Sequence, residues 1–457
     1  MSGARDPGGA VELLGNGGPL VLFDCRLGAP QDPPHQVRVG GFTQGTITLA
    51  RCRFNHQLAP VVVQDDGPTP GARPTVELLG CPGFADTGPA LPADTPDWMP
   101  APRLRPSQRA AAATRIPSPA TENEDSSEAL QAALDALAQR GGGVLLLPPG
   151  LFVLRRPLQL PSGVALQGVG GRGGATVVGP GQTRGTLLAW AGDAEGPMLL
   201  LKDCTGARVS GLHFTTLGAP GGDPGPTTIR TMLDVRGGTD LWLEDLGAGW
   251  LAGDGGGAGA GVCETFLRID GASAVTLRGA GLQQVAGQGV DVQQARDIEL
   301  SALVVSDSRC AVRVGPAGEV AWLGGGAGNT GGRYPDASAL WLAGGRVYAA
   351  GLEVQDNAPL RVLLGAGSAT IAGSDFLFPA QGDRFVDLRG ALLLVGSAIG
   401  TDTEAGGELR AATLVSLGGA VEGPATRFIG DPLVSRGNRA QDRAERWPRQ
   451  VVQLAAK

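Results

Sequence analysis

The chain has 457 residues and a formal net charge of −7, and its only lysines are Lys202 and Lys457. This composition argues against Schiff-base or P-loop chemistry, and without clusters of basic and aromatic residues we expect no nucleic-acid partner. The apolar stretches are far shorter than the roughly 20 residues of a membrane-spanning helix, and the N-terminus MSGARDPGGAVELL lacks the pattern of a signal peptide.

Glycine (76 residues) and proline (34 residues) are abundant, yet 42% of the residues are hydrophobic and recur as short runs between glycines. Such runs predict a core built from many short strands rather than a disordered chain. A single solenoid can absorb the whole length, because each repeat contacts only its neighbours.

Residues 1–84 are predicted to form a short β-helix-like segment, with about three coils between residues 11 and 84. Cys25, Cys52 and Cys81 lie in the related contexts LFDCRL, LARCRF and LLGCPGF, 27 and 29 residues apart. We expect them to stack in successive coils as buried free thiols. None of the six cysteines has the spacing of a zinc site. The sequence leaves open whether this segment forms its own stack or extends the main solenoid.

Residues 85–122 are rich in proline and alanine and are predicted to form an extended linker. The segment DSSEALQAALDALAQRGGG then predicts a helix near residues 126–139, with Asp125 as N-cap and Glu128 three residues later. Its apolar face would contain Ala129, Leu130, Ala133, Leu134 and Leu137, and the run Gly141–Gly143 would end it. Such a helix can cover the open end of a solenoid.

A repeat follows the helix: an apolar strand, a turn with Gly, Ala or Asp, a second strand and a polar loop. The repeats begin 21 to 34 residues apart, at Met198, Met232, Phe266, Val290, Ala311, Ala339, Leu360, Phe385 and Ala412. A propeller blade would need roughly 40 residues or more. The pattern therefore predicts an all-β fold, a right-handed parallel β-helix of three sheets over residues 123–431, closed by a C-terminal cap at 432–457.

The segment SSEALQAALDALAQRGGGVLLLPPGLFVLRRPLQLPSGVALQGVG resembles the opening of β-helices in the pectate-lyase-like superfamily. There, a capping helix leads into a Gly-Gly-x-Val strand, a Pro-Pro-Gly turn and a first coil, matched here by Ser127–Leu137, Gly142–Leu147, Pro148–Gly150 and Leu158–Gly170. The superfamily includes polysaccharide lyases, polygalacturonases and phage tailspike depolymerases. The resemblance implies this fold and a polysaccharide partner, and a trimer if the chain is tailspike-like; otherwise the oligomeric state stays open. It also implies an extracellular or cell-surface location.

The resemblance does not extend to the catalytic acids of the polygalacturonases. Where that family places an Asp and an Asp-Asp pair, this chain has Gln288, and Arg309 followed by Cys310. A hydrolase needs one carboxylic acid on the leaving oxygen and one carboxylate for water or the nucleophile. The polygalacturonase mechanism is therefore excluded at these positions.

Alignment of the repeats places Asp234, Arg268, Asp291, Arg313 and Trp341 in one outward column, while Leu233 and Val235 point inward. Superfamily lyases are similar in using acids for calcium and a basic residue as proton acceptor. We therefore expect Asp291, Arg268 and Asp234 to be the catalytic candidates, and Arg313 and Trp341 to contact substrate. The acids are also of the type that binds Ca²⁺, although the sequence commits to no cofactor. The alternative is a surface ladder of ion pairs, each contributing little to stability.

A second outward column is predicted from Ser210, Trp242, Thr276, Glu299, Ala321 and Tyr348. Long insertions follow the coils of Ser210 and Trp242 and could wall a cleft near Trp242 and Trp250. Substrate-binding candidates here are Trp242, Glu244, Asp245 and Glu299. We expect the polar floor of one groove, with a pocket, to combine Asp234, Glu244, Asp245, Arg268, Asp291 and Arg313.

Two further features have structural interpretations. His213 has no acid or nucleophile nearby in sequence, so we expect it to be structural. The runs Gly255–Gly257 and Gly324–Gly326 lack the Lys-Ser/Thr of a phosphate-binding loop, so we expect them to be turns.

Two functions fit these patterns. The first is a carbohydrate-active enzyme, either a polysaccharide lyase or a glycoside hydrolase that does not use the polygalacturonase aspartates. The second is a non-catalytic adhesion or spike element, favoured by the missing aspartates and by an aromatic content of only 4%.

Overall fold

The fold is described from a computed structural model. It covers residues 124–171, 176–179, 182–192, 195–217, 229–249, 262–328, 337–355, 361–378, 384–401 and 408–418, with shorter stretches within 11–119 and 420–450. The elements before the main solenoid are β1 (Val11–Leu14), β2 (Leu20–Phe23), β3 (Arg26–Leu27), β4 (Val37–Gly40), β5 (Thr46–Ala50), β6 (Arg53–Phe54), β7 (Val61–Val63), β8 (Thr75–Leu79), β9 (Ala113–Arg115) and α1 (Ser127–Gln139).

The main solenoid then continues to the C-terminal region in strands that are mostly parallel. The first of them are β10 (Gly143–Leu146), β11 (Gly150–Leu154), β12 (Leu158–Gln159), β13 (Val164–Gln167), β14 (Thr176–Gly179), β15 (Gln182–Arg184), β16 (Thr186–Trp190), β17 (Pro197–Lys202), β18 (Arg208–Thr216), β19 (Thr231–Arg236), β20 (Thr239–Ala248), β21 (Cys263–Asp270), β22 (Ser273–Arg278), β23 (Gly281–Gln283) and β24 (Val285–Gln293). The others are β25 (Arg296–Ser306), β26 (Cys310–Val314), β27 (Glu319–Gly328), β28 (Ser338–Gln355), β29 (Arg361–Ala372), β30 (Asp375–Phe378), β31 (Arg384–Val395), β32 (Ala398–Thr401), β33 (Glu408–Leu417), β34 (Ala420–Glu422), β35 (Arg427–Ile429), β36 (Leu433–Arg436), β37 (Arg439–Gln441) and β38 (Arg449–Gln450). Within this set, β14–β15 and β37–β38 pair antiparallel.

Strand pairing between successive coils produces three parallel sheets. The first sheet contains β9, β10, β13, β22 and β36 with parts of β18, β20, β25, β27, β28, β29, β31 and β33. The second contains β11, β16, β23, β30, β32, β34 and β37 with the C-terminal parts of β18, β20, β25, β27 and β28. The third contains β12, β17, β19, β21, β24, β26 and β35 with the N-terminal parts of β28, β29, β31 and β33. The predicted right-handed parallel β-helix is confirmed.

The corner between the first and second sheets uses one left-handed residue in each of nine successive coils that begin with β18. Its φ lies between +51° and +66° at Gly211, Asp245, Gly279, Ala302, Gly324, Gly351, Gly373, Gly396 and Gly418. This backbone region favours Gly and tolerates Asp, which is why the sequence repeats a turn residue there. The run Gly324–Gly326 was expected to be a turn. It lies within β27, where Gly324 supplies this corner, and Gly255–Gly257 lies outside the described residues.

Helix α1 covers the N-terminal end of the main solenoid, as predicted. Leu130, Leu134 and Leu137 are fully buried and belong to the same hydrophobic cluster as the strands, whereas Ala129 is exposed. The predicted capping box does not form, and the N-cap residue is Ser126 rather than Asp125. Asp125 accepts a hydrogen bond from the Ser127 N–H (3.0 Å), but Glu128 forms an ion pair with Arg156 at 3.2 Å. The helix end is thus fixed to the first coil rather than closed on itself.

The core is one continuous hydrophobic cluster that runs from the helix to Phe428. Leu233 and Val235 are fully buried in it, as the alternation of β19 predicts. Phe214 and Phe266 pack edge to face at 5.6 Å between ring centroids. Because inward residues repeat from coil to coil, each coil completes the core of its neighbours.

The strands β1–β8 pair with one another in three parallel sets, β1–β4–β7, β2–β5–β8 and β3–β6. Ala50 and Leu79 of this segment pack in a hydrophobic cluster with Leu393 and Val415, on the outer side of the first sheet. The N-terminal strands therefore lie beside the main solenoid. The domain boundaries at residues 84/85, 122/123 and 431/432 stay predictions.

The cysteines of the N-terminal strands follow the predicted pattern where they are described. Pairing of Ala50 with Leu79 places Cys52 and Cys81 at equivalent positions two residues later, and both are buried free thiols. The Cys81 thiol donates to the Leu49 carbonyl at 3.2 Å. Cys25 lies outside the described residues. Cys204, Cys263 and Cys310 are also buried and free.

Candidate functional site

The outward face of the third sheet carries the predicted column of charged residues. Pairing aligns Asp234 with Arg268, Arg268 with Asp291, Asp291 with Arg313 and Arg313 with Trp341. We call these five residues the charged column. They face outward because Leu233, Val235 and their equivalents occupy the alternate, inward positions.

Asp234 is the most buried acid of the charged column, with its side chain only 3% exposed. Its Oδ2 accepts two hydrogen bonds from Arg236, from Nε at 2.8 Å and from Nη2 at 2.6 Å. This pairing raises the pKa of the Arg236 guanidinium. Its Oδ1 is buried without a hydrogen-bond partner, and on the next strand the Nε of Arg268 is in the same state. A buried donor and a buried acceptor thus remain unused on neighbouring strands.

The remaining charges form local pairs instead of one continuous ladder. Arg268 contacts Asp270 of its own strand at 3.3 Å. Asp291 is 9% exposed, and its Oδ1 accepts from Arg313 at 3.0 Å and from Gln293 at 2.7 Å. The acids are therefore neutralised by arginines, and the face as a whole is balanced in charge.

Trp341 ends the charged column as an open aromatic surface. It is 43% exposed, and the guanidinium carbon of Arg313 lies 5.5 Å from its ring centroid. An arginine over one part of the ring favours a fixed indole orientation through a cation–π contact. An exposed, oriented indole is suited to stacking against the apolar face of a sugar ring.

Sequence reasoning missed the adjacent outward column of the third sheet. Arg236, Asp270 and Gln293 are aligned by strand pairing and supply the partners of Asp234, Arg268 and Asp291. Each partner lies two residues after the residue that it contacts. The period of two in a β-strand is the signal that could have found them.

The positions that lack the polygalacturonase acids hold no substitute carboxylate. The Gln288 side chain accepts from Thr265 at 3.1 Å, and Arg309 is exposed. Burial raises the pKa of the Cys310 thiol to about 12, with a smaller opposing effect from its hydrogen bond with Ser338. Because that thiol stays protonated at neutral pH, it cannot act there as a thiolate nucleophile.

The second predicted column lies on the first sheet, and one of its members was wrong. Trp242, Thr276, Glu299, Ala321 and Tyr348 are aligned, but their next neighbour is Arg208. Ser210 pairs with Glu244, two residues further along. The error arose because sequence alone did not locate the short turn between the third and first sheets.

The members of this second column are largely covered. Trp242 is 5% exposed, Glu299 9% and Thr276 not at all. Towards the C-terminal coils, residues 90–98 lie over the same face. Trp98 stacks on Arg346, and the Thr413 hydroxyl donates to Asp94. Trp242 and Glu299 are therefore poor positions for direct substrate contact.

The six residues expected to form one polar floor do not come together. Asp234, Arg268, Asp291 and Arg313 share the third sheet, whereas Glu244 belongs to the first. Asp245 occupies the left-handed corner between the first and second sheets, and its Oδ2 accepts from the Gly171 N–H at 3.1 Å. Asp245 is thus a structural corner residue, because a sheet corner separates it from the charged column.

The long insertions follow strands of the second sheet rather than the strand segment that carries Trp242. The strands that flank them show that residues 218–228 and 250–261 connect the second sheet to the third. Trp250 and both insertions lie outside the described residues. The two clefts found in the described regions lie elsewhere, beside Trp98 and beside α1. The pocket expected at the charged column stays a prediction.

His213 has the structural role expected of it. It lies outward on the second sheet, is 7% exposed, and its Nε2 is 3.4 Å from the Gly249 carbonyl oxygen. Burial lowers its pKa, opposed by its backbone contacts with Gly249 and Gly171. A buried, neutral imidazole that contacts backbone groups is suited to a packing role rather than a catalytic one.

The described residues contain no cluster of three or more His, Cys, Asp or Glu side chains arranged to hold a metal ion. Within the same residues, no helix has the length and apolarity to span a bilayer.

Comparison with known proteins yields structural similarities only. No protein-family model and no curated protein matches the chain. It is similar to DFA-IIIase from Arthrobacter chlorophenolicus A6 without its lid, at 14% identity over 69% of this chain and 89% of that one, with a TM-score of 0.45. It is also similar to the A-module of the mannuronan C-5 epimerase AlgE6 from Azotobacter vinelandii (16%, 70% and 97%, TM-score 0.38).

A third similarity is to the tailspike protein gp49 of the Acinetobacter baumannii bacteriophage Fri1, a capsular polysaccharide depolymerase (13%, 70% and 59%, TM-score 0.43). With TM-scores below 0.5, none of these similarities supports an inference about the activity of this chain. Its own strand pairing establishes what the resemblance of the opening segment implied, a right-handed parallel β-helix.

Proposed function

We propose that the chain binds an extended polysaccharide along the outer face of its third sheet. The observation that carries the proposal is the charged column, which runs across five neighbouring strands and ends on the exposed indole of Trp341. Four strand steps of about 4.8 Å make it about 19 Å long. This is the scale of several consecutive sugar residues.

The chemistry of the face suits a polymer that carries hydroxyl groups and some carboxylates. Arg268 and Arg313 have side chains that are 44% and 29% exposed, so their guanidinium groups can donate to uronate or hydroxyl oxygens. Asp291 can accept from sugar hydroxyls. Asp234 is too buried to contact substrate directly, and it acts in this proposal by orienting Arg236.

Catalysis is the second part of the proposal. If the chain cleaves its polymer, Arg268 and Asp291 are the residues at the reacting sugar, with Asp234 supporting them, and the reaction is a lyase or hydrolase step. A non-catalytic adhesion or spike role is the alternative. It is favoured by the Asp291 carboxylate, whose Oδ1 already accepts from Arg313 and Gln293.

Binding is tested by screening the purified chain against acidic and neutral polysaccharides in affinity electrophoresis. We expect Trp341→Ala, and the double variant Asp291→Ala with Arg268→Ala, to weaken binding strongly while thermal stability changes little. The control is Arg296→Ala, an exposed arginine on the first sheet. Unchanged binding in both variants would refute the placement, and loss of folding would show that the column is structural.

Catalysis is tested on whichever polysaccharide binds. A lyase produces an unsaturated uronate that absorbs ultraviolet light, whereas a hydrolase produces new reducing ends alone. Binding without either product would identify the non-catalytic alternative. Loss of product in the double variant, at polysaccharide concentrations that saturate its weakened binding, would assign the chemistry to Arg268 and Asp291.

A further inference from the structure

A cleft of about 210 Å³ separates residues 93–98 from the outer face of the first sheet. One wall is the segment Ala93–Trp98, and the other is formed by Arg346, Ser368 and Thr370. It lies on a different sheet from the charged column, and the proposed polysaccharide face does not use it. At roughly 30 Å³ per water, its volume equals about seven waters, which suits one small ring rather than a polymer segment.

Two hydroxyl groups in the walls have no partner inside the protein. Thr370 is 1% exposed and Thr95 is 9% exposed, and the Oγ1 of each is buried without a hydrogen bond. They come from opposite walls, one from the strand β29 and one from the covering segment. Leaving a buried hydroxyl unpaired costs free energy. Both Oγ1 atoms lie beneath the cleft surface, so a ligand that shifts the covering side chains slightly would supply partners and remove this cost.

An aromatic ring and charged groups complete the cleft. Trp98 is half-buried, and the guanidinium carbon of Arg346 lies 5.1 Å from its ring centroid. Arg346 is held by Glu319 at 2.6 Å. Asp94 and Asp97 also line the cleft and are exposed. Glu319 balances Arg346. Arg51, which donates to the Pro96 carbonyl of the same wall, offsets one of the two aspartates. One negative charge therefore remains in excess at the cleft.

From these groups we infer that the cleft binds a single neutral sugar residue. Carboxylates accept hydrogen bonds from a polyol, and hydroxyls both accept and donate them. The indole of Trp98 covers an apolar ring face, and the negative charge disfavours uronates and phosphates. The site is independent of the proposed polysaccharide face. The chain would then recognise carbohydrate on two separate sheets.

The first sheet offers a matched pair of threonines to test this. Thr370 and Thr276 occupy the same outward column, are 1% and 0% exposed, and both have a buried Oγ1 without a partner, but only Thr370 lines the cleft. Thr370→Val and Thr276→Val remove only the hydroxyl. Since neither hydroxyl has a partner in the unliganded protein, both variants should unfold at or above the wild-type temperature.

Binding is measured on the full chain by ligand-observed NMR with D-glucose, D-galactose and D-mannose, and with D-glucuronate and D-galacturonate as charged counterparts. We expect a neutral hexose to bind the wild type and Thr276→Val equally. Thr370→Val should weaken that binding about fivefold, and Trp98→Ala about tenfold or more. The corresponding uronate should bind more weakly than its neutral sugar.

The inference is overturned if none of the three hexoses binds, if the uronates bind better, or if Thr370→Val binds as well as Thr276→Val. The double variant Asp291→Ala with Arg268→Ala must retain hexose binding at the cleft. Loss of polysaccharide binding with hexose binding intact, or the reverse, separates failure of one site from failure of the other.

Discussion

The outer faces of the third and first sheets are built in the same way, but one column ends in solvent and the other ends under a second layer of the protein. Both carry a column of outward residues aligned by strand pairing from coil to coil. On the third sheet, the column ends at Trp341, which is 43% exposed. On the first sheet, the column that contains Trp242 continues towards the C-terminal coils to Leu393 and Val415, which are fully buried beneath Ala50 and Leu79.

The difference shows that an outward position in a solenoid is not the same as an exposed one. Strand alternation decides which side chains leave the core, but a second layer decides which of them meet solvent. On the first sheet, Ala50, Leu79 and residues 93–98 supply that layer. Asp234 shows that an outward position of the third sheet can be closed as well, since it is 2% exposed.

The largest expected effect is on the reactivity of Cys310, a residue of β26 that is 1% exposed. With its pKa raised to about 12, against an ordinary 9.0, its thiolate population at neutral pH is lower by on the order of a thousandfold. Alkylation by iodoacetamide, followed by peptide mass spectrometry, should be correspondingly slow in the folded chain. The rate should rise with pH up to about 10 without a plateau.

In urea, the same peptide should react at the rate of an ordinary thiol, and all six cysteines should be modified. Fast alkylation of Cys310 in the folded chain would contradict its burial in β26. A disulfide on Cys25, Cys52 or Cys81 would contradict their prediction as free thiols.

Truncation of the covered column should destabilise far more than truncation of the open one. Leu393→Ala removes a fully buried side chain beneath the N-terminal strands, and we expect a loss of about 2–5 kcal/mol. Trp341→Ala removes a larger side chain from the open face and should cost less than about 1 kcal/mol. Urea unfolding of the two variants compares them. Equal losses would show that the two faces are covered alike.

A smaller effect is expected within the charged column. Arg236→Ala leaves the Asp234 carboxylate buried with neither oxygen paired, and we expect a destabilisation of about 1–3 kcal/mol. Asp234→Leu combined with Arg236→Ala continues the apolar character of Leu200 on the neighbouring strand and should recover most of that loss. Thermal unfolding of both variants provides the measurement. If the double variant is less stable than Arg236→Ala, Asp234 has contacts beyond this ion pair.

The smallest effect concerns His213, a covered residue of the second sheet. Burial lowers its pKa, so the folded chain resists a proton that the unfolded chain accepts near pH 6.5. Its contribution to stability is therefore complete above about pH 6.5 and decreases as the pH falls below that value. Thermal unfolding between pH 5 and 8 should show this dependence in the wild type and lose it in His213→Gln. An unchanged dependence would assign it to other groups.

The comparison also separates the residues that sequence could predict from those that it could not. Alternation and repeat spacing correctly predicted the alignment of the residues from Asp234 to Trp341. They also predicted the three buried leucines of α1. They failed by two residues at Ser210, because the turn before β18 has no residue pattern that locates it. They also could not separate Asp245 from its neighbours, since only the left-handed corner shows that its side chain leaves the first sheet.

The sequence by itself determined the solenoid, its capping helix and the order of residues along each column, because these depend on local periodicity and on contacts between adjacent coils. The covering of Leu393 and Val415 by Ala50 and Leu79, and the cleft at Trp98, were decided only in three dimensions. Each of these requires two segments distant in sequence to meet on one face, as Asp94 meets Thr413. No pattern within a single repeat records such a meeting.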